Sequence, residues 1–409
     1  MAQPSKRGIP AIEGGKPIRA SILPYGRQWL DDDDKHAVRR VLEGDFLTTG
    51  PAVAAFEEKV AAYTDAKYAV AFANGTAALH GACFAAGITG GDEVITTPMT
   101  FAASANAVLY TGGKPVFCDI EPDTLLIDPT QIERHITVRT KGVIPVDYTG
   151  QPARLDEIRE IAQQYGLIVI EDAAQAFGAD VAGKKIGSLS DMTMFSFHPV
   201  KSVTTGEGGI ITTNDDSYYQ KLLQFRSHGI TRDPARWKNG GGGASWYYEM
   251  HELGFNYRMT DIQAALGASQ LAKVDGFISR RAEIAAAYTE AFRHLKAVSC
   301  PVVRKDVRSS WHLYVIRLRE GLLAVDRQRI FTALEAENIG VNVHYIPVYL
   351  HPYYQSLGYE RGICPQAEKS YEQIITLPLF PAMSGQDVQD VIDAVEKVIH
   401  YYRAKGFYG

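Results

Sequence analysis

Lys201 lies between an apolar stretch and a turn-rich run in residues 195–209, FSFHPVKSVTTGEGG. A lone lysine is usually a solvated charge, but aromatic and apolar neighbours disfavour the ammonium and free the amine as a nucleophile. Asp172 follows the apolar run of LIVIEDAAQAFGA, where a strand of an open α/β sheet would end and present groups to a ligand. Taken alone it also reads as a cap for the next helix. Residues 74–79, NGTAAL, leave one strand-like run and open a helix of small residues. Free amides at such a helix start, with the Thr76 hydroxyl, can cradle a phosphate, although a plain strand-to-helix turn looks the same. Phe101, in TTPMTFAASANAV, offers a ring that could stack on a flat ligand or pack into the core.

Each signal is ambiguous alone. Together they supply an amine, a carboxylate, an aromatic face and a phosphate cradle, the four things pyridoxal 5'-phosphate (PLP) needs. Other chemistries lack their parts. There is no G-x-x-x-x-G-K-[ST] and no G-x-G-x-x-G after a strand, which removes most of the case for triphosphate hydrolysis or dinucleotide binding. Cys83, Cys118, Cys300 and Cys364 form no C-x-x-C pair, so neither a zinc ribbon nor a disulfide framework is expected, and no metal.

The elements that must position these residues can be read from hydrophobic periodicity. Strand-length apolar runs at 68–71, 93–96, 115–118, 142–146 and 167–170 alternate with helical patterns such as 155–165. This predicts a large α/β domain over 23–260 with a mostly parallel sheet between helices. Residues 1–22 read as a loose arm. Residues 231–246, TRDPARWKNGGGGASW, read as a mobile loop, and their Arg232, Arg236 and Lys238 would suit a gate over a diphosphate. A capping box at TDIQ, 260–263, starts one long helix. Together with strands at 311–318 and 340–346, a helix at 327–338 and a last helix after Ser384, it makes 261–409 a linking helix and a smaller α+β domain.

The chain has 409 residues and a net charge of -5, so no bulk positive field draws nucleic acid or an anionic membrane. Its start has no apolar leader segment and no window suits a bilayer span. These features predict a soluble cytoplasmic protein.

The order NGT, TTPMTF, EDAAQAFGA, SFHPVK with TTGEGG, and GFNYRMTDIQAALG resembles the DegT/DnrJ/EryC1/StrS family of PLP-dependent sugar aminotransferases, from about Leu23 to the last helix. LPYGRQ, GDFLTTGP, VDYTGQ, RSHGITRD and VNVHYIPVYLHPYY are most similar to the members that form UDP-4-amino-4,6-dideoxy-N-acetyl-β-L-altrosamine for pseudaminic acid or spore-coat polysaccharide. The resemblance implies a fold-type-I α/β transferase acting as a homodimer with shared sites. Lys201 would be the Schiff-base lysine and Asp172 the partner of the pyridine nitrogen. Gln175 would lie near the phenolic oxygen and Phe101 on the ring. Thr76, Ala77 and Ser196 would meet the phosphate, with Asn256 reaching in from the other subunit. Where the family often has His, this chain has Asp147.

The implied reaction moves an amino group from L-glutamate, released as 2-oxoglutarate, to C4 of a UDP-linked 4-keto-6-deoxy-N-acetylhexosamine. Another nucleotide-linked keto sugar or a keto-cyclitol is the alternative substrate. A PLP-dependent sugar dehydratase and a non-catalytic regulator are the alternative activities.

Overall fold

The chain was analysed as a computed structural model that describes residues 8–240 and 244–404. Seven strands form the main sheet: β1 (Tyr68–Phe72), β2 (Glu93–Thr96), β3 (Lys114–Phe117), β4 (Thr140–Ile144), β5 (Ile168–Asp172), β6 (Met192–Ser196) and β7 (Gly209–Thr213). Their spatial order is β1-β7-β6-β5-β4-β2-β3, and all pairs are parallel except those that β7 makes with β1 and β6.

Strand alternation sends neighbouring side chains to opposite faces. Ala69, Ala71, Val143, Val169 and Ile210 join one apolar cluster, while Val70, Phe72, Ile144, Ile170 and Ile211 join another. Helices α1 (Asp32–Leu42), α2 (Pro51–Tyr63), α3 (Gly75–Ala85), α4 (Ala103–Tyr110), α5 (Leu155–Tyr165) and α6 (Asp216–Phe225) precede the join to the second part. α2 and α5 cover the first face; α3, α4 and α6 cover the second. In α5, Leu155, Ile158 and Ala162 recur at helical spacing on the buried side, and Gly166, at φ 65°, ends the helix in the left-handed conformation.

Several expectations are corrected. The helix opened by the Thr260–Gln263 capping box is two helices, α7 (Asp261–Leu271) and α8 (Val274–Phe292). Lys273, at the break, bonds Asp31 and Asp34 near the start of α1, so α7 stays docked on α1 and α2 while α8 turns to the last helix, Gly385–Tyr401. Residues 340–346 form no strand. Only Asn342 pairs with Thr376; the chain then leaves the sheet to bring His344 and Tyr345 to the cavity described below.

The arm is docked rather than loose from about residue 10 onward. The Ala11 and Ile18 amides donate to the buried Glu337 carboxylate at 2.8 Å each, and Lys397 Nζ bonds the same group at 2.9 Å. Ile12, Ile18 and Leu23 pack into the C-terminal core, built on strands Val298–Ser299, Tyr314–Leu318 and Ile374–Leu377. Residues 1–7 of the expected arm, and Gly241, Gly242 and Gly243 of the expected mobile loop, lie outside the described residues. Among the described residues no helix is long and apolar enough to cross a membrane.

Candidate active site

The carboxyl ends of the parallel strands open on one cavity of about 850 Å³. β1 leads to Asn74, Gly75 and Thr76, β2 to Thr100 and Phe101, and β4 to Val146. β5 ends on Asp172 and β6 on Ser196. This is where open α/β sheets place ligands. His312, His344 and Tyr345 close the opposite wall.

Lys201 is delivered by a loop that folds back on itself. The Phe197 amide donates to Gly208 O at 2.9 Å and the Thr205 amide to Phe197 O at 3.0 Å, while the Lys201 amide donates to His198 O at 2.9 Å. The Lys201 amine lies 3.4 Å from His312 Nε2. Burial pushes it down to about 8; the Asp172 carboxylate opposes this, and the Arg281 guanidinium adds to it. Arg281 is fully buried and donates Nη1 to Leu379 O at 2.8 Å and His312 O at 3.2 Å. The pocket therefore holds a lysine that gives up its proton far more readily than a solvated one and is mostly a free amine only above about pH 8.

Asp172 accepts Ser104 Oγ at 2.6 Å and the Ala174 amide at 3.1 Å. Burial raises its pKa, while these two donors and the Lys201 charge lower it. Such a carboxylate, buried and with no ion pair among the described residues, suits a protonated ring nitrogen. Gln175 Oε1 accepts the Thr149 amide at 2.7 Å, and Nε2 donates to the Tyr345 hydroxyl at 3.0 Å.

At the start of α3, the Asn74 side chain caps the helix by accepting the Ala77 amide at 2.8 Å. Ala77 therefore contributes wall rather than a free donor, which narrows the expected phosphate contacts to the Gly75 and Thr76 amides and the Thr76 and Ser196 hydroxyls. Gly75 is small for a reason: a Cβ there would stand 3.2 Å from Ser196 Cβ. Phe101 lines the cavity and is 63% exposed, its ring 6.2 Å from that of Tyr345. The amine, the lone carboxylate, the exposed ring and the free amides fit PLP.

Asn256 does not line this cavity; it is exposed and bridges Ser227. Arg232, Arg236 and Lys238 are not in the wall either. Arg232 covers the Tyr248 ring at 5.0 Å and Arg236 donates to Gln220. Ser104, His312 and Tyr345 are site residues that the sequence reading missed. A serine at the second position of a helix and a histidine inside WHLY carry no local signal, because only the fold brings them to Asp172 and Lys201.

Comparison with known proteins matches residues 28–396 to the DegT/DnrJ/EryC1/StrS aminotransferase family. The spore coat polysaccharide biosynthesis protein SpsC of Bacillus subtilis is 43% identical over 93% of this chain and 98% of its own. PseC of Helicobacter pylori, an aminotransferase involved in the biosynthesis of pseudoaminic acid, superposes with a TM-score of 0.87 at 31% identity, over 93% of this chain and 100% of PseC. Spr1654 of Streptococcus pneumoniae, solved in PMP and PLP forms, gives TM-scores of 0.87 and 0.86 at 30% and 29% identity, with 93% of this chain covered and 100% and 99% of the two Spr1654 chains.

Proposed function

The chain belongs to the DegT/DnrJ/EryC1/StrS family of PLP-dependent sugar aminotransferases, and from that premise we propose that it transfers the amino group of L-glutamate to C4 of a UDP-linked 4-keto-6-deoxy-N-acetylhexosamine. The observation that carries the reading is Lys201, a buried lysine brought down to about 8, in the same cavity as the Asp172 carboxylate, which forms no ion pair among the described residues. The UDP-sugar and the donor rest on the sequence segments shared with altrosamine-type members and on the likeness to PseC and SpsC.

When bound, PLP supplies an electron sink for the carbanion left at the donor's α-carbon. Asp172 would hold the protonated ring nitrogen, with Ser104 Oγ and the Ala174 amide fixing its carboxylate. The Lys201 amine would anchor PLP and, when not so engaged, would be the base that takes the donor's α-proton and the acid that gives a proton back. Gln175 orients Tyr345 across the cavity, and the free amides before α3 hold the phosphate. Retention of a lysine here favours amine transfer over dehydration.

We place the second half of the phosphate site on a partner copy. Asn256 lies outside its own cavity, on a segment that exposes Trp246, Met250 and Leu253, a surface suited to burial against a second chain. The deciding experiment incubates purified protein with PLP, L-glutamate and a panel of UDP-, dTDP- and GDP-linked 4-keto sugars. The expected product is the UDP-linked 4-amino sugar with stoichiometric 2-oxoglutarate. Turnover confined to another nucleotide would refute the substrate assignment, and dehydration without amine transfer would refute the activity.

A further inference from the structure

Beneath the cavity lie two carboxyl groups that the transfer reaction does not use. Asp147 follows β4 and Glu171 is the next-to-last residue of β5; each is 0% exposed. Asp147 Oδ1 accepts the Ala153 amide at 2.9 Å. Glu171 Oε2 accepts Ser190 Oγ at 3.0 Å and Thr193 Oγ1 at 2.8 Å. The remaining oxygens, Asp147 Oδ2 and Glu171 Oε1, are buried and have no donor among the described residues. The charges that act most strongly on each group are carboxylates: Glu171 and Asp172 on Asp147, and Asp172 on Glu171. Two ions in that position, with no cation to pair with, would face a desolvation cost and mutual repulsion.

The two unpartnered oxygens account for each other if one proton lies between them. We propose that Asp147 and Glu171 share a single proton, donated by Asp147 Oδ2 to Glu171 Oε1, and that this pair ties the ends of β4 and β5 so that Asp172 keeps its place. Glu171 is the ionised member because two hydroxyls stabilise its charge, against one amide for Asp147. Burial, then the Glu171 charge, raise the Asp147 carboxyl well above its ordinary range.

The backbone already joins the same strand ends. The Asp147 amide donates to Asp172 O at 3.0 Å and the Asp172 amide to Pro145 O at 2.9 Å. Side chains alternate along β5, so Glu171 faces away from the cavity that Asp172 faces. Asp147 and Glu171 are positioning residues: the Thr149 amide two residues on holds Gln175, and Asp172 follows Glu171 directly.

The pairing itself does not depend on PLP; only its consequence for Asp172 rests on the proposed function. Infrared difference spectra of wild type against Asp147→Asn at neutral pH should show a protonated carboxyl band in the wild type only. Glu171→Gln should remove the band as well, since its amide can donate to an ionised Asp147. Absence of the band in wild type overturns the shared proton.

In the unfolded chain Asp147 ionises above about pH 4, whereas in the fold it stays protonated, so its contribution to stability is complete in acid and is lost as pH rises. The unfolding constant of wild type relative to Asp147→Asn should therefore rise with pH once the ordinary carboxyl range near pH 4 is passed, by up to about tenfold per pH unit, which is about 1.4 kcal/mol per unit. A ratio that does not change with pH overturns the pairing.

For positioning, Asp147→Ala should slow the glutamate half-reaction at least tenfold and Asp147→Asn should restore most of it. Equal rates in all three proteins, or no rescue by Asn, overturn the positioning role. A wild type inactive with every substrate would instead refute the proposed function and leave the infrared and unfolding results standing.

Discussion

Two glycine-rich loops of this molecule are built in opposite ways. Residues 197–208, which carry Lys201, close through backbone bonds of Phe197 to Gly208 and Thr205. The following Gly209 begins β7 at a point where a Cβ would lie 2.5 Å from Asn74 O and 2.7 Å from Gly75 Cα. In 231–250 the described ends instead converge on one carboxylate. Glu249 accepts the Lys238 amide at 2.6 Å, the Asn239 amide at 2.8 Å, the Tyr247 hydroxyl at 2.9 Å and His251 Nε2 at 2.7 Å. Near its tip, a Cβ on Gly240 would meet nothing within 4 Å among the described residues. Where the first loop ends, at Gly209, glycine is required by close packing of backbone on backbone. In the second, Gly240 provides torsional freedom without a packing role among the described residues.

The largest effect expected from breaking the first loop's purpose is Lys201→Ala. Turnover should fall by at least about a thousandfold, with loss of the covalent link to PLP that borohydride fixes. A labelled peptide mapping to another lysine would move the site. In the wild type, the rate at which the PLP-free protein captures PLP should rise about tenfold per pH unit below pH 8 and level above it, because burial brings the Lys201 amine to about 8. A profile still rising at pH 10 would mean that the loop does not desolvate its lysine.

Next in size is Gly209→Ala. Backbone atoms cannot move aside as a flexible side chain can, so the turn before α3 must shift, at a cost of about 1 to 3 kcal/mol. Weaker PLP binding should accompany the lower thermal midpoint, since Gly75 and Thr76 belong to that turn. Unchanged PLP affinity would separate this contact from the cradle.

The same contrast explains what the sequence could and could not tell. Strand runs such as YAVAF at 68–72 were legible because a sheet buried on both faces demands continuous apolar residues, and Asp172 and Lys201 because the first ends such a run and the second lies shortly after one. The docking of residues 10–22 was not, because polar side chains and backbone amides satisfied by a distant Glu337 look locally like a disordered arm. Residues 340–346 looked like a strand because Val341, Val343 and Tyr345 alternate, yet Tyr345 is needed at Gln175 and the chain bends there instead. Gly240 and the glycines at 208 and 209 cannot be distinguished as letters; only the neighbours of a missing Cβ tell them apart.

A smaller effect is expected where the second loop is anchored. Burial would raise the Glu249 carboxyl, but His251, the two amides and the Tyr247 hydroxyl bring it down to about 2. A depressed carboxyl stabilises the loop above its ordinary range near pH 4 and loses that effect only as pH falls toward 2, so the clamp should hold throughout neutral conditions. Glu249→Gln should speed hydrogen exchange at the Lys238 and Asn239 amides severalfold while the global midpoint barely moves. Unaltered exchange would mean that the loop is held elsewhere.

Gly240→Ala should have the smallest effect. Gly240 has φ 69°, a conformation that costs an L-residue about 1 to 2 kcal/mol. Replacing glycine also narrows the unfolded ensemble and returns about 0.4 to 1 kcal/mol, so the net loss lies between about 0 and 1.6 kcal/mol. Because nothing described touches the position, neither PLP capture nor the glutamate half-reaction should change. The measurement is a pair of melting curves and half-reaction rates run beside Gly209→Ala. If Gly240→Ala lowers the midpoint as far as Gly209→Ala, or slows transfer to the sugar alone, the tip of the second loop makes contacts of its own, and the distinction between a packed and a free glycine fails at this site.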